Sequence, residues 1–402
     1  MASPSPQQTP TLTRHFEQSA LSVSLLRGGL IYRLESRLGL VAPDCWNPVR
    51  RILVVVTLTC IPLIALAFGG TLQAGTQLLK DYRLIARFLV ALPLFIISQR
   101  TIDIRFRSAI EHFFNARIVR QQDMPRFLRI VTRTKRLADS IVPELILLAL
   151  VFFVAPMLQQ TRFLIGTSWG MNVIPGSAAS LTKAGWYFLL VTEPIYLMLF
   201  SVLIWKWIVW ITFLWQVSRF ELQLTCAHPD RCGGLGFLGL VPQGFLGPVF
   251  GASAAVGAVW RFDLSNKLNT LQSYYIPAIT LLAGVLFILY GPLAFFSLRL
   301  FELRRTGLLN FAALAQINSA QFVRKWITDL RKNEAELPYI PEVATLYNLG
   351  AEFRIMNGAH FVPIHQHSIL QISAAVLIPL LPLLLTEIPL ETLLKNVFRA
   401  LL

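Results

Sequence analysis

The chain has 402 residues, of which 55% are hydrophobic and 14% are charged. This composition excludes an ordinary soluble domain and a disordered chain. The formal net charge is +15, and its basic residues lie beside apolar stretches instead of on a polar domain. The charge therefore predicts contact with anionic lipids at the cytoplasmic face and no binding of nucleic acid.

The chain begins with a polar segment. Residues 1–20 are dominated by Ser, Pro, Gln and Thr, which predicts a flexible tail and no cleavable signal peptide. Across 21–50, leucines at four-residue spacing with arginines beside them predict an amphipathic helix. That helix has two alternative positions, in the lipid headgroup region or against the protein's own cytoplasmic loops. Residues 21–402 are assigned to a single membrane domain.

Seven apolar stretches are each close to the length that a helix needs to cross about 30 Å of hydrocarbon. They cover residues 52–68, 84–98, 141–158, 186–205, 236–259, 276–298 and 369–385. The sequence therefore predicts an all-α polytopic membrane helix bundle with about seven transmembrane helices and the lipid bilayer as its first partner.

The basic residues give this bundle an orientation. Of 36 Lys and Arg residues, 26 lie in the N-terminal arm or in 99–139, 216–233 and 299–366. Segments rich in Lys and Arg stay in the cytoplasm, so the N-terminus is predicted to be cytoplasmic and the C-terminus outside. Segment 100–139, interpreted as two helices divided at Pro125, and segment 299–366, into which the sixth span continues, are predicted to form a cytoplasmic layer of amphipathic helices.

Four ionisable residues lie inside the predicted spans or at their edges: Arg87, Glu144, Glu193 and Lys206. A charged side chain at the centre of a bilayer costs about 2.5 kcal/mol or more, so each is a candidate for ion handling. Arg87 and Lys206 are near predicted span ends, where long side chains can reach the headgroups. The tryptophans around Lys206 are typical of an interfacial belt. Glu144 is in the first turn of its span, where the helix dipole favours a carboxylate.

Glu193 differs from the other three because it lies about two turns inside the fourth span and precedes Pro194. Proline frees a backbone carbonyl one turn earlier. A buried carboxylate beside such a kink is a candidate proton-handling or cation-handling group. The alternative is a structural ion pair with Arg87, which enters the membrane from the same face.

The most distinctive segment is CAHPDRCGGLGFLG at 226–239, at the predicted cytoplasmic mouth of the fifth span. Its proline holds the preceding histidine extended, its aspartate can cap following backbone N–H groups, and its glycines permit left-handed turns. The candidate loop residues are His228, Asp230, Arg231, Gly233 and Gly234.

The fifth span itself carries small residues at Gly247, Gly251 and Ala255. This spacing predicts a close crossing with another membrane helix. Pro242 and Pro248 predict that the span is broken, which membrane proteins accept where the break lines a cavity or lies within protein.

A metal site is a further hypothesis for the cytoplasmic face, with Cys226, His228, Cys232, His360, His365 and His367 as the ligands and Asp230 beside them. The cysteine and histidine spacing is not that of a standard zinc finger. Histidine is also an ordinary residue at a membrane interface. The alternative is interfacial packing with hydrogen bonds. No cofactor other than such a metal ion is predicted.

Three stretches together carry a resemblance: Arg50-Arg51 with the following Ile61-Pro62-Leu63, the segment HPDRCGGLGFL within 226–239, and Pro379-Leu-Leu-Pro382 with the residues up to Thr386. In these stretches the chain resembles a group of multi-pass bacterial inner-membrane proteins. The resemblance covers most of the chain and implies a location in the bacterial cell inner membrane. It brings no activity, so no catalytic residue follows from it.

Three functional hypotheses remain open. The leading one is a channel or transporter for a small ion or solute, built as a homo-oligomer, and it depends on Glu193 and on the broken fifth span. The second is a membrane-embedded enzyme with a cytoplasmic site around His228, Asp230 and His365. The third is a membrane sensor or scaffold whose basic cytoplasmic helices bind a partner or anionic lipid.

Overall fold

The computed structural model describes residues 36, 37, 39, 47–164, 167–172, 180–324 and 340–384, and these are almost entirely helical. The helices are α1 Pro48–Gly70, α2 Leu72–Leu79, α3 Tyr82–Asn115, α4 Met124–Ala138, α5 Ile141–Leu164, α6 Lys183–Val217, α7 Gly236–Ser265, α8 Leu271–Phe322, α9 Ile340–Asn357 and α10 Gln366–Leu383. A short antiparallel pair joins β1 Met171–Asn172 and β2 Ser180–Leu181. The predicted tail 1–20, residues 21–35 and 40–46 of the N-terminal amphipathic segment, and residues 325–339 and 385–402 lie outside the described residues.

Six of the described helices are long and apolar enough to cross a membrane: α1, α3, α6, α7, α8 and α10. Their outer faces expose large apolar side chains such as Leu53 on α1 and Phe287 on α8, as expected of helices that face lipid. The protein is therefore a multi-pass membrane protein. The third predicted span lies on α5, whose side chains beyond residue 153 are outside the described part, so a seventh crossing stays a prediction.

The membrane helices α3 and α7 cross closely. A Cβ atom on Gly251 would lie 2.8 Å from the Ala91 Cα, and one on Gly247 would meet the Ser98 hydroxyl. The predicted small-residue crossing is confirmed, because only glycine leaves room for the two backbones to approach. The predicted break is also present, since α7 begins as a 3₁₀ helix over Gly236–Phe245 and becomes α-helical only at Leu246.

Two helices extend beyond the apolar stretches that were predicted as spans. The helix that carries the second span continues without interruption to Asn115, and the helix that carries the fourth continues to Val217, past the span ends predicted at 98 and 205. Neither extension contains glycine or proline. Each extension also keeps a buried apolar face, with Phe106 on α3 and Phe213 on α6. The helices therefore run past the apolar window by which a span is recognised.

Two of the tryptophans around Lys206 do not belong to the predicted interfacial belt. Trp207 and Trp210 are 4% and 0% exposed, and Trp210 stacks on Phe106 with ring centroids 4.6 Å apart. Both side chains are core residues between α6 and its neighbours. A belt residue would instead present its ring to the lipid headgroups.

Side chains of α6 also compensate for two prolines in neighbouring helices. Pro62 leaves the Leu58 carbonyl without its usual helical donor, and the Tyr187 hydroxyl donates to that carbonyl at 2.7 Å. Pro292 does the same to the Ile288 carbonyl, which accepts from Trp207 Nε1 at 3.0 Å. Inside a bilayer a freed carbonyl needs such a donor, because no water is available.

Segments 116–140, 218–235 and 357–365 meet at one end of the bundle, which we call the basic end. Val119 forms an isolated bridge with Leu222, and the His360 N–H donates to the Arg231 carbonyl at 2.8 Å. The amphipathic helix α4 lies here. Pro125 is in its first turn, so the predicted division of segment 100–139 at Pro125 is confirmed. The side on which the basic end lies stays a prediction from the charge distribution.

Candidate functional site

An ion pair inside the bundle joins α3 to α6. Arg87 Nη1 donates to both carboxylate oxygens of Glu193, at 2.7 Å to Oε1 and 2.8 Å to Oε2. The two side chains are 12% and 8% exposed. Both residues were candidates from the sequence, and the structure brings them together in the arrangement that the ion-pair alternative described.

Both partners lie where their helices change winding. In α3 the segment Ile85–Ala91, which contains Arg87, is a π-helix, and in α6 the π-helix Phe188–Thr192 ends directly before the glutamate. A proline follows each segment, Pro93 in α3 and Pro194 in α6. Because proline cannot donate to the helical ladder, the turn before it can widen to the i→i−5 pattern at little further cost. Short π-helical segments inside α-helices are frequent at functional sites.

Aromatic rings surround the pair. The Arg87 guanidinium lies 5.4 Å from the centroid of the Tyr196 ring. Phe88 packs edge-on against Phe188 and Tyr196, with centroids 6.4 and 6.2 Å away. This apolar setting strengthens the attraction between the two charges and makes either charge costly without its partner.

A third helix, α1, contacts α6 beside the ion pair. Thr192, next to the glutamate, donates from its hydroxyl to the Thr59 carbonyl of α1 at 3.3 Å. Thr192 and Thr59 are both fully buried. The pair on α3 and α6 is therefore tied to α1 through the residue that precedes Glu193.

The other two membrane candidates lie elsewhere. Glu144 is buried in the first turn of α5, where it was predicted. Lys206 is not at the end of its helix, because α6 continues for about three turns beyond it. The reach of Lys206 to the headgroups therefore stays a prediction, and the side chains of Glu144 and Lys206 both have further contacts within the protein.

The carboxylate of Asp230 organises the loop at the basic end. Its Oδ1 accepts from the N–H groups of Cys232 at 2.8 Å and Gly234 at 3.1 Å, and its Oδ2 accepts from the Gly236 N–H at 2.8 Å. His228 Nδ1 lies 2.8 Å from Oδ1. The predicted capping by Asp230 is confirmed, and the last of these donors is the first residue of the 3₁₀ start of α7.

The glycines serve the geometry of this loop. Gly233 and Gly234 have φ of +65° and +95°, so the predicted left-handed turns are confirmed. A Cβ on Gly233 would lie 2.9 Å from the Leu303 side chain of α8. Arg231 also has a positive φ, +56°, and its carbonyl holds the His360 N–H. The loop is thus fixed to both α8 and the segment before α10.

These contacts shift two pKa values. Burial raises the pKa of Asp230, but the hydrogen bonds from Cys232, Gly236, Gly234 and His228 outweigh it and leave the pKa below its usual range. Burial, with a smaller contribution from the Asp230 charge, raises the pKa of the Cys232 thiol to about 11. The thiol is therefore protonated at neutral pH, which makes it a poor metal ligand and a poor nucleophile.

The proposed metal ligands reach the same region, but their side chains do not gather. The backbones of His360 and Arg231 are hydrogen-bonded, while His367 Nε2 lies 2.9 Å from Gln371 Nε2 on α10. His365 precedes the first residue of α10, and Cys226 packs against Gly307 of α8. Among the described residues, no group of three or more His, Cys, Asp or Glu side chains could hold a metal ion.

Several residues of the site were not singled out by the sequence analysis. Tyr196 and Thr192 were missed because an aromatic and a hydroxyl residue in an apolar span carry no distinguishing pattern. Pro93 was the available signal, since it stands in α3 as Pro194 stands in α6. In comparisons with protein families, curated proteins and solved structures, no match to the chain is found.

Proposed function

We propose that the protein transports a small ion or solute across a bacterial inner membrane. In each transport event Glu193 releases its partner Arg87 and binds the transported proton or cation instead. One observation carries the proposal: a buried ion pair joins two membrane helices at the point where each helix changes its winding. The proposed cargo is a proton or a small cation, because these compete directly with a guanidinium for a carboxylate.

The energetics of the pair suit a switch. In an apolar setting an ion pair is held strongly while both charges are present, and losing one charge costs several kcal/mol, about 3–5 in measured cases. A proton or cation that satisfies Glu193 therefore releases Arg87, which must find another partner or reach water. That requirement links occupancy of the carboxylate to the relative position of α3 and α6.

The backbone around the pair is suited to such a movement. The π-helical turns in Ile85–Ala91 and Phe188–Thr192 can return to regular winding by shifting hydrogen bonds by one residue. On its other side α3 packs against α7, which begins with a ten-residue 3₁₀ segment. Long 3₁₀ runs are uncommon and often mark a hinge.

The enzyme hypothesis receives less support from the basic end. Both oxygens of Asp230 accept hydrogen bonds from the loop's own backbone, so this carboxylate is occupied in holding the loop. A catalytic carboxylate would instead need an oxygen directed at a substrate. We therefore assign Asp230 and its glycines to the architecture of the basic end.

Flux through purified protein in liposomes tests the proposal. We expect proton or monovalent cation flux above that of empty liposomes, and a loss of at least about tenfold in Glu193→Gln, a factor equivalent to about 1.4 kcal/mol in the barrier. Glu111→Gln is the matched control, because its partner Arg107 lies on the same helix at the surface and the pair is exposed. Flux at the empty-liposome level across common ions, or equal flux in wild type and Glu193→Gln, would refute the proposal.

A further inference from the structure

A cavity of about 520 Å³ lies at the basic end, between α4 and the last turns of α6. It is separate from the ion pair and from the Asp230 loop. The polar and aromatic residues that line it include Arg133, Thr134, Arg136, Ser140, Trp215 and Gln216.

The charge on this cavity is positive. Helix α4 carries five Lys and Arg residues and no Asp or Glu, and two of the five, Arg133 and Arg136, line the cavity. Both are exposed, and neither forms a salt bridge with another described residue. Two guanidinium groups that share a cavity without a carboxylate favour an anion with several acceptor oxygens.

Thr134 provides a second, independent sign of a polar ligand. The residue is 3% exposed and lines the same cavity, yet its Oγ1 has no hydrogen-bond partner within the described part of the chain. A buried hydroxyl normally finds a partner. A ligand oxygen between the two arginines would accept its hydrogen.

The surroundings indicate where the ligand comes from. Trp215 lines the cavity on the α6 side and is half-exposed, with the Arg219 guanidinium 3.8 Å from its ring centroid. A tryptophan at the end of a membrane helix lies at headgroup level. Ser140, on the other side, directly precedes α5, whose sequence predicts a membrane span. A lipid headgroup can therefore reach the cavity from the bilayer.

We propose that this cavity binds the phosphate group of an anionic phospholipid. Arg133 and Arg136 contact the phosphate oxygens, Thr134 donates its hydroxyl hydrogen, and the acyl chains extend past Trp215 into the bilayer. Basic cavities beside membrane helices bind headgroups in this manner. The site is independent of the transport proposal, since none of its residues contacts the ion pair.

Lipid retention by detergent-purified protein tests this site. Delipidated protein is titrated with phosphatidylglycerol, phosphatidylcholine or inorganic phosphate, and bound lipid is counted by native mass spectrometry. We expect phosphatidylglycerol to bind at least about tenfold more tightly than phosphatidylcholine, and the double variant Arg133→Gln/Arg136→Gln to lose that preference. Arg129→Gln is the matched control, because Arg129 is exposed on the same helix and does not line the cavity.

Thr134→Val separates binding from folding. Valine removes the hydroxyl with little change of shape, so the lipid-free variant should melt at or above the wild-type temperature while its affinity for phosphatidylglycerol falls several-fold. The proposal is overturned by any of three results: the double arginine variant keeps the wild-type preference, the two lipids bind equally, or inorganic phosphate binds while neither lipid does.

Discussion

Two carboxylates flagged by the sequence are satisfied in opposite ways. Glu193 is held by one side chain, Arg87, which comes from another helix. Asp230 is held by three backbone N–H groups of its own loop, within six residues of chain. A partner on another helix can leave if the helices move, whereas backbone donors of the same turn cannot leave without unfolding it. This difference supports the proposal that Glu193 has the transport role and that Asp230 holds the loop in place.

The largest loss of stability is expected when one member of the Arg87–Glu193 ion pair is replaced. Arg87→Leu leaves the Glu193 carboxylate buried without its partner, and we expect a loss of about 3–5 kcal/mol in the free energy of unfolding, measured by denaturation in bicelles. Arg107→Leu, which removes an exposed arginine of the same helix, should cost less than about 1 kcal/mol. Equal losses in the two variants would show that the pair is not what holds Glu193.

The next largest loss of stability is expected when Asp230, which holds the loop at the basic end, is replaced. Asp230→Ala leaves three backbone donors without their acceptor and should cost about 3 kcal/mol. Hydrogen exchange in the segment around Cys232, Gly234 and Gly236 should accelerate, while exchange in α3 stays unchanged. His228→Ala is the control, because its exposed side chain supplies only one of the four contacts. If His228→Ala opened the loop as far as Asp230→Ala, the backbone donors would not be the main support.

A substitution with a smaller effect on stability should show whether the ion pair and the Asp230 loop are independent. Gly251→Val places side-chain atoms against the Ala91 backbone, and overpacking of this kind costs about 1–3 kcal/mol. Since Ala91 ends the π-helical segment that contains Arg87, transport should fall while loop protection is retained. Gly284→Val is the control, because a Cβ atom at that position would have no heavy atom within 4 Å apart from the backbone of its own helix and its chain neighbours. Loss of loop protection in Gly251→Val would mean that the two regions are coupled.

The smallest effect is the acid dependence of the loop. The pKa of Asp230 is lowered on folding, so the ionised group stabilises the loop above the unfolded-state pKa, about 3.9, and this contribution is lost as the pH falls through the lower folded-state value. Hydrogen exchange of the loop should thus be constant from pH 7 to 5 and accelerate below about pH 4, relative to the intrinsic rate. Asp230→Asn should remove that dependence. An unchanged profile in Asp230→Asn would assign the transition to another group.

Much of the fold follows from the sequence because membrane burial imposes strong patterns. Apolar length located the six described helices that are long and apolar enough to cross a membrane, and the spacing of Gly247, Gly251 and Ala255 predicted a close crossing, although the partner helix α3 was not predicted. The helices that carry the second and fourth spans continue past 98 and 205 because hydropathy reports where a chain leaves lipid, and a helix that keeps a buried face continues beyond that point.

The candidate site was less predictable. The cost of an isolated charge in lipid made the pairing of Arg87 with Glu193 a reasonable alternative, but the depth of each residue could not decide it. The π-helical turns have no side-chain signature, and only the prolines that follow them gave a hint. Thr134 lies in the amphipathic helix α4, and nothing in the sequence indicates that its hydroxyl has no partner within the described residues.

The most direct test of the transport proposal is ion flux through the double variant Arg87→Gln/Glu193→Gln. Replacing both charges by amides keeps a hydrogen-bonding pair and removes the penalty of a lone buried charge, so folding should be close to that of wild type. The account predicts a folded protein whose proton or cation flux in liposomes falls to the empty-liposome level. Wild-type flux through this folded, uncharged variant would contradict the claim that the pair takes part in transport.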